Sequence, residues 1–174
     1  NVGWEVANDV SLAMEQLHPF YRRVFLGKRG SGSTSRCTIC IYRDLDEFLD
    51  HEPGADEETL GFYQPGENRI ATYDPRSEGE GIGCLWETLF HEASHQFTDM
   101  VTTGIVPAWI NEGTAAYFEG AHLQPSGRVA ANRIPHFYLT DLKSALGDGD
   151  PSVREVVEYF EDGSYDASFY PVGW

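Results

Sequence analysis

The chain reads His91-Glu92-Ala93-Ser94-His95 near its middle and Trp109-Ile110-Asn111-Glu112-Gly113 a short way further on. On a helix, histidines four positions apart project from one face, one turn apart. At that separation two imidazole nitrogens can bind one tetrahedral zinc ion. We expect a helix from Cys84 to Met100, because apolar residues recur with helical spacing around the histidines. They are Leu85, Trp86, Leu89, Phe90, Ala93 and Phe97.

These two stretches predict a metal site of His91, His95 and Glu112. The glutamate follows on a second helical segment and offers the third ligand, and two histidines with one carboxylate leave a fourth position open for water. That arrangement is typical of a catalytic zinc rather than a structural one. Glu92 lies beside the metal and can act as general base toward a zinc-bound water. The ordinary alternative is that the histidines face solvent and that Glu92 is a surface carboxylate, and Glu119 competes with Glu112 as the third ligand.

The segment from His91 to Glu119 resembles the gluzincin metallopeptidases, which combine H-E-x-x-H with a downstream glutamate ligand. It is most similar to aminopeptidase N-type enzymes, whose second segment reads W-L-N-E-G-F-A-x-Y-x-E. The resemblance implies a zincin-like α+β fold, a Zn²⁺ cofactor and hydrolysis of peptide bonds in a peptide or protein substrate. Those enzymes also carry G-x-M-E-N, which captures a free amino terminus. Gly61 to Asn68 does not read that way, so aminopeptidase specificity does not follow.

The resemblance also suggests a donor for the oxyanion of the tetrahedral intermediate. In aminopeptidase N-type enzymes a tyrosine that opens Y-x-x-G has this role, and Tyr170-Pro171-Val172-Gly173 matches that pattern. Tyr170 is therefore the second predicted catalytic residue, unless it is only a core aromatic. Its rivals are Tyr165, His122 and His136.

Glu119 lies two helical turns beyond Glu112 and on roughly the same face. It is a candidate acceptor for the second ring nitrogen of a ligand histidine, because such histidines need an outer partner that orients them. Asp99, one turn after His95, is a weaker candidate for the same role. The alternative for Glu119 is a surface carboxylate near a helix end.

Composition indicates a folded domain, with 41% hydrophobic and 13% aromatic residues among 174. We treat residues 1–174 as one domain, with a sheet and the zinc helix in 1–100 and a helical part carrying Glu112 in 101–174. The net charge of −16 disfavours nucleic acid and anionic membranes as partners. No apolar stretch is long enough for membrane insertion.

We expect a longer natural protein, because Asn1 is not a start residue and Phe169–Trp174 resembles the opening of another element. The usual location of the peptidases that the chain resembles, together with the non-Met start, favours a secreted or periplasmic location.

The order of predicted elements favours an α+β fold, because strands precede a run of helices. By its resemblance to a zincin half-domain, residues 68–74 would be the edge strand with which substrate pairs. We predict strands at 38–42, 60–63 and 69–73, helices at 6–25, 45–50, 107–119, 135–146 and 152–160, and a loop at 120–133.

Cys37 and Cys40 form C-x-x-C on a predicted strand, where residues three apart point to opposite faces. A redox C-x-x-C normally starts a helix, and a cysteine-type zinc site needs a second pair. We interpret both as core or disulfide cysteines, with Cys84 as a candidate partner. Two rival functions remain: a zincin-like domain that binds zinc without catalysis, and a redox protein that uses Cys37 and Cys40.

Overall fold

The computed structural model describes residues 2–27, 36–102, 106–124, 126, 128–131 and 143–144. Its helices are α1 (Trp4–Leu26), α2 (Leu45–His51), α3 (Ile82–Val101) and α4 (Ala108–Glu119). Its strands are β1 (Thr38–Tyr42), β2 (Gly61–Gln64), β3 (Arg69–Tyr73), β4 (His122–Leu123) and β5 (Val129–Ala130), with 3₁₀ turns at Pro65–Glu67 and Pro75–Glu78. The described residues thus form a mixed α+β structure, as the sequence predicts.

The predicted loop at residues 120–133 is wrong in one respect. It contains a small antiparallel hairpin, in which His122 pairs with Ala130 and Leu123 with Val129. Strands of two residues carry no alternating pattern, so periodicity could not reveal them. The predicted helices at 135–146 and 152–160 lie outside the described residues, apart from residues 143 and 144, which are helical.

The three-stranded sheet has the order β1-β3-β2, so β3 is its central strand. β1 runs parallel to β3, from Thr38 opposite Arg69 to Tyr42 opposite Tyr73, whereas β2 is antiparallel to β3. The prediction that residues 68–74 form the edge strand is therefore wrong. β2 precedes the hairpin turn and pairs with one side of β3, and β1 pairs with the other side, which leaves β1 and β2 as the edges of the described sheet.

Helix α3 packs against α1, α4 and the strands β2 and β3. Its apolar side chains join those of α1 and α4 in the main core, where each large buried side chain stabilises the fold by about 1.5–3 kcal/mol. A second apolar cluster, of Phe48, Ala71 and Tyr73, joins α2 to the sheet. The largest fully buried members of the main core are Leu17, Tyr21, Ile70, Leu85, Leu89, Phe90, Phe97 and Phe118.

Strand β2 approaches α3 very closely at Gly61. A Cβ atom at this position would lie 2.7 Å from Cγ2 of Thr88 and 2.9 Å from the backbone oxygen of Ala71. Because the backbone oxygen belongs to the central strand, it cannot move aside without disturbing the sheet. Glycine is required here by the short distances from the edge strand to the helix and to the backbone of the central strand.

The three cysteines are free thiols and half-buried, so the structure contains none of the disulfides that the sequence left open. Burial raises the pKa of the Cys37 thiol to about 11, which leaves almost no thiolate near neutral pH. This environment disfavours the redox alternative. None of the described helices is long and apolar enough to cross a membrane.

Candidate metal centre

Helix α3 carries an unusual number of polar side chains in its buried part. His91, Glu92, Ser94, Gln96 and Thr98 are all buried. Burying such groups is costly unless they are hydrogen-bonded or have a functional partner. The histidines project one turn apart, with ring centroids 4.7 Å from each other. These buried polar side chains therefore make α3 a candidate location for a functional site.

Helix α4 brings a carboxylate to the same point. Its buried residues Ala115 and Ala116 have small side chains, which allow the helix to lie close to α3. Oε2 of Glu112 lies 3.2 Å from Nε2 of His91 and 3.3 Å from Nε2 of His95. One ligand atom from each of the three residues lies within 4.8 Å of the others.

The three residues that the sequence selects therefore meet in space, and their donor set fits Zn²⁺. Two imidazole nitrogens and one carboxylate oxygen are the ligands of a catalytic zinc site, in which one position stays open. Among the described residues this is the one group of three His, Cys, Asp or Glu side chains whose ligand atoms converge in this way. Their role as metal ligands stays a prediction.

Glu119 contacts the second ring nitrogen of His91, as its spacing from Glu112 predicts. Its Oε1 lies 2.5 Å from Nδ1 of His91, so the carboxylate accepts the ring proton there. That hydrogen bond fixes the tautomer of the neutral ring, in which Nε2 has a lone pair for a metal. Within the described chain, Nδ1 of His95 is buried without a hydrogen-bond partner. Asp99 does not fill that gap; its Oδ2 instead accepts a bond from the Tyr63 hydroxyl at 3.2 Å.

The pKa values of His91 and Glu112 show how the carboxylates and the imidazole act on each other. Burial alone would lower the pKa of His91, but hydrogen bonds to Glu112 and Glu119 outweigh it and raise that pKa to about 10. Burial opposes ionisation of Glu112, yet its bonds to His91 and His95 lower its pKa to about 2. In the metal-free protein a proton on His91 therefore occupies the place that a cation would take.

Glu92 lies next to the point where the ligand atoms meet. It is only 7% exposed, and one of its carboxylate oxygens lies 4.0 Å from Nε2 of His91. Burial raises its pKa, while the two histidines and the backbone N–H of Tyr63 lower it, with a net upward shift. A carboxylate with a raised pKa is better suited to accept a proton near neutral pH.

An open cleft of about 1080 Å³ gives access to these groups. Residues from Leu60 to Tyr63 of the β2 edge form one wall, and α3 and α4 form the other with Thr88 and Asn111. Acidic side chains also line the cleft, including the exposed Glu87, whereas no lysine or arginine is among the described lining residues. The cleft therefore runs between β2 and the candidate metal ligands.

The structure does not bring every predicted residue to the cleft. His122 lies on β4, is half-buried and does not line the cleft, so it is not placed to donate to a substrate there. Tyr170, Tyr165 and His136 lie outside the described residues.

Tyr63 is a residue near the site that the sequence does not single out. Its hydroxyl donates to Asp99, and its backbone N–H is directed at Glu92, so it connects the edge strand to the helix that carries the site. A tyrosine in a short alternating strand carries no signal that distinguishes this role from packing.

Comparisons of the chain with protein-family models, with curated proteins and with solved structures find no match. Function therefore has to be inferred from the residues of the site and their geometry.

Proposed function

We propose that this chain is a zinc-dependent metallopeptidase of gluzincin type, which hydrolyses peptide bonds in peptide or protein substrates. The observation that carries the proposal is the convergence of His91, His95 and Glu112, with Glu92 beside them at an open cleft. One helix with H-E-x-x-H accounts for a pair of histidines. An incidental pair of surface histidines would not have a carboxylate from a second helix at the same point.

The architecture supports the zincin-like assignment. A small mixed sheet precedes the H-E-x-x-H helix, and both edge strand β2 and central strand β3 pack against it. The next helix in the chain supplies the glutamate. Three protein ligands, rather than four, favour a catalytic site over a structural one.

Each side chain has a task that follows from its position. Nε2 of His91 and Nε2 of His95 would hold the ion with Glu112, and Glu119 keeps the His91 ring in the required tautomer. These residues would hold a zinc ion whose chemistry would be Lewis-acid polarisation of the scissile carbonyl and a lower pKa of a bound water. Glu92 would be the general base for such a water, because one of its carboxylate oxygens lies 4.0 Å from Nε2 of His91.

The substrate would pair with β2, which replaces residues 68–74 as the proposed docking strand. β2 is an edge of the sheet and lines the cleft through Gly61, Phe62 and Tyr63. No described strand pairs with β2 on the side away from β3, and strand addition uses the backbone groups of such an edge for affinity. Side chains along the cleft would then determine which residues of the peptide are accepted.

The decisive experiment combines metal analysis with a base variant. Elemental mass spectrometry of the purified chain should find close to one zinc, and His95→Ala should lose it. Glu92→Gln should retain zinc but lose roughly 10²–10⁴-fold in peptide hydrolysis, which is the usual contribution of general-base catalysis. Glu87→Gln, which removes an equal charge from the same helix, should stay active.

The outcomes separate the alternatives. Undiminished turnover by Glu92→Gln would contradict the assignment of the base. A wild-type chain that binds zinc but cleaves no peptide would support the rival interpretation, a zincin-like binding domain of a larger protein.

A further inference from the structure

Tyr21 lies on the N-terminal helix and contacts both helices of the candidate metal site, although it does not line the cleft. Its hydroxyl donates a hydrogen bond of 2.6 Å to the backbone oxygen of Phe90 on α3. Its ring meets Phe118 of α4 edge-on, with centroids 4.6 Å apart. Only 1% of the residue is exposed, so it is fixed in the core.

Both contacts fall next to residues of the site. Phe90 immediately precedes His91, and Phe118 immediately precedes Glu119. The hydrogen bond between His91 and Glu119 joins these same two helices on the side of the metal. Tyr21 therefore contacts both α3 and α4 from the core, next to the hydrogen bond through which Glu119 orients His91.

The hydroxyl does more than packing requires. Phe20, Phe25 and Phe97 surround the Tyr21 ring and fill the core without any polar atom. The carbonyl of Phe90 lies inside α3, where it can accept the helical bond from the amide of Ser94 and still has a second lone pair. The phenol uses that second position, which fixes the backbone one residue before the histidine.

We propose that Tyr21 is a positioning residue of the metal site, which sets the spacing between His91 and Glu119 by binding the backbone of α3 and packing on α4. The inference rests on the proposed function, because it assigns Tyr21 a part in holding the zinc ligands. Tyr21 acts through other residues and touches neither substrate nor metal.

The test compares two variants that undergo the same chemical change. Tyr21→Phe removes the hydroxyl and keeps the ring. Tyr42→Phe also removes a hydroxyl with a 2.6 Å hydrogen bond, but its partner is Glu52, outside the cleft and among the groups that join α2 to the sheet. Each variant is measured for its melting temperature, its zinc affinity and the visible spectrum of its Co²⁺ form.

We expect both variants to melt slightly below the wild type and only Tyr21→Phe to change the metal site. Direct outer partners of ligand histidines are worth 10–100-fold in metal affinity, and Tyr21 acts one step further out, so roughly fivefold weaker zinc binding is expected. The Co²⁺ spectrum should change in the same variant. Unchanged affinity and spectrum in Tyr21→Phe, or equal losses in both variants, would overturn the inference.

A measurement on metal-free protein decides the inference independently of zinc. The proton between His91 and Glu119 should give a far-downfield NMR signal, which shifts or broadens in Tyr21→Phe and stays in place in Tyr42→Phe. An unshifted signal in Tyr21→Phe would show that the hydroxyl does not position the pair. A wild-type chain that binds no zinc would instead refute the proposed function, while this signal would still report on Tyr21.

Discussion

Replacing Gly61 with alanine should destabilise the protein and disturb the cleft together. The new Cβ would lie 2.7 Å from Cγ2 of Thr88 and 2.9 Å from the backbone oxygen of Ala71, distances that real Cβ atoms essentially never show. The side chain of Thr88 can rotate, but the carbonyl of the central strand cannot. Overpacking of this kind typically costs about 1–3 kcal/mol.

Alanine also restricts the unfolded chain, which returns about 0.4–1 kcal/mol when the folded backbone tolerates it. We therefore expect a net loss of about 1–2 kcal/mol in the free energy of unfolding. Denaturant titration of Gly61→Ala measures this loss. The rate of peptide hydrolysis should fall by more than the loss of folded protein explains, because displacement of β2 moves the backbone of Tyr63 away from Glu92.

Gly66→Ala is the matched control, because it lies in the turn between β2 and β3 and its new Cβ would meet no atom within 4 Å. The same substitution there should leave stability unchanged or raise it by up to about 1 kcal/mol. Equal midpoints for the two variants would refute the claim that close contact, rather than loss of glycine, causes the effect.

Three further predictions concern charged groups. Glu119→Gln should weaken zinc binding roughly tenfold in a competition assay with a chelator, because a neutral amide orients His91 less firmly, whereas Glu87→Gln should have a much smaller effect. Zinc binding near neutral pH should release about one proton, because the pKa of metal-free His91 is raised to about 10 and the ligand must be neutral; equal heats in buffers of different ionisation enthalpy would contradict this. The bonds from Arg69 lower the pKa of Glu52 in the folded state, so this contribution to stability is complete above the ordinary value of 4.5 and is lost as pH falls below it. Glu52→Gln should flatten that acid branch of the stability curve, and an unaltered slope would speak against the pair.

The helices, and the helix faces that carry the candidate metal ligands, were predictable because each depends on local spacing. Histidines four positions apart must share a helix face, and the same holds for Glu112 and Glu119 seven apart. Both ends of α3 were predicted to within two residues of its observed range, Ile82–Val101.

Strand order and cross-chain contacts were not predictable in the same way. β3 becomes central because residues as distant as Thr38 and Arg69 pair, and no local pattern records which strands become neighbours. Tyr21 was equally hidden, since an aromatic residue on the buried face of a helix looks like any other core residue. Only the fold shows that its hydroxyl reaches the backbone of Phe90.

The unequal support of the two histidines has a kinetic consequence. The ring of His91 is clamped by Glu119, whereas Nδ1 of His95 has no hydrogen-bond partner in the described chain. A ring held at one nitrogen only can swing away from an ion at little cost. Metal exchange would then proceed in a fixed order, with His95 detaching first and a chelator capturing the ion while His91 and Glu112 still hold it. The rate at which a chelator removes the ion would then rise with chelator concentration, and spontaneous dissociation would not limit it.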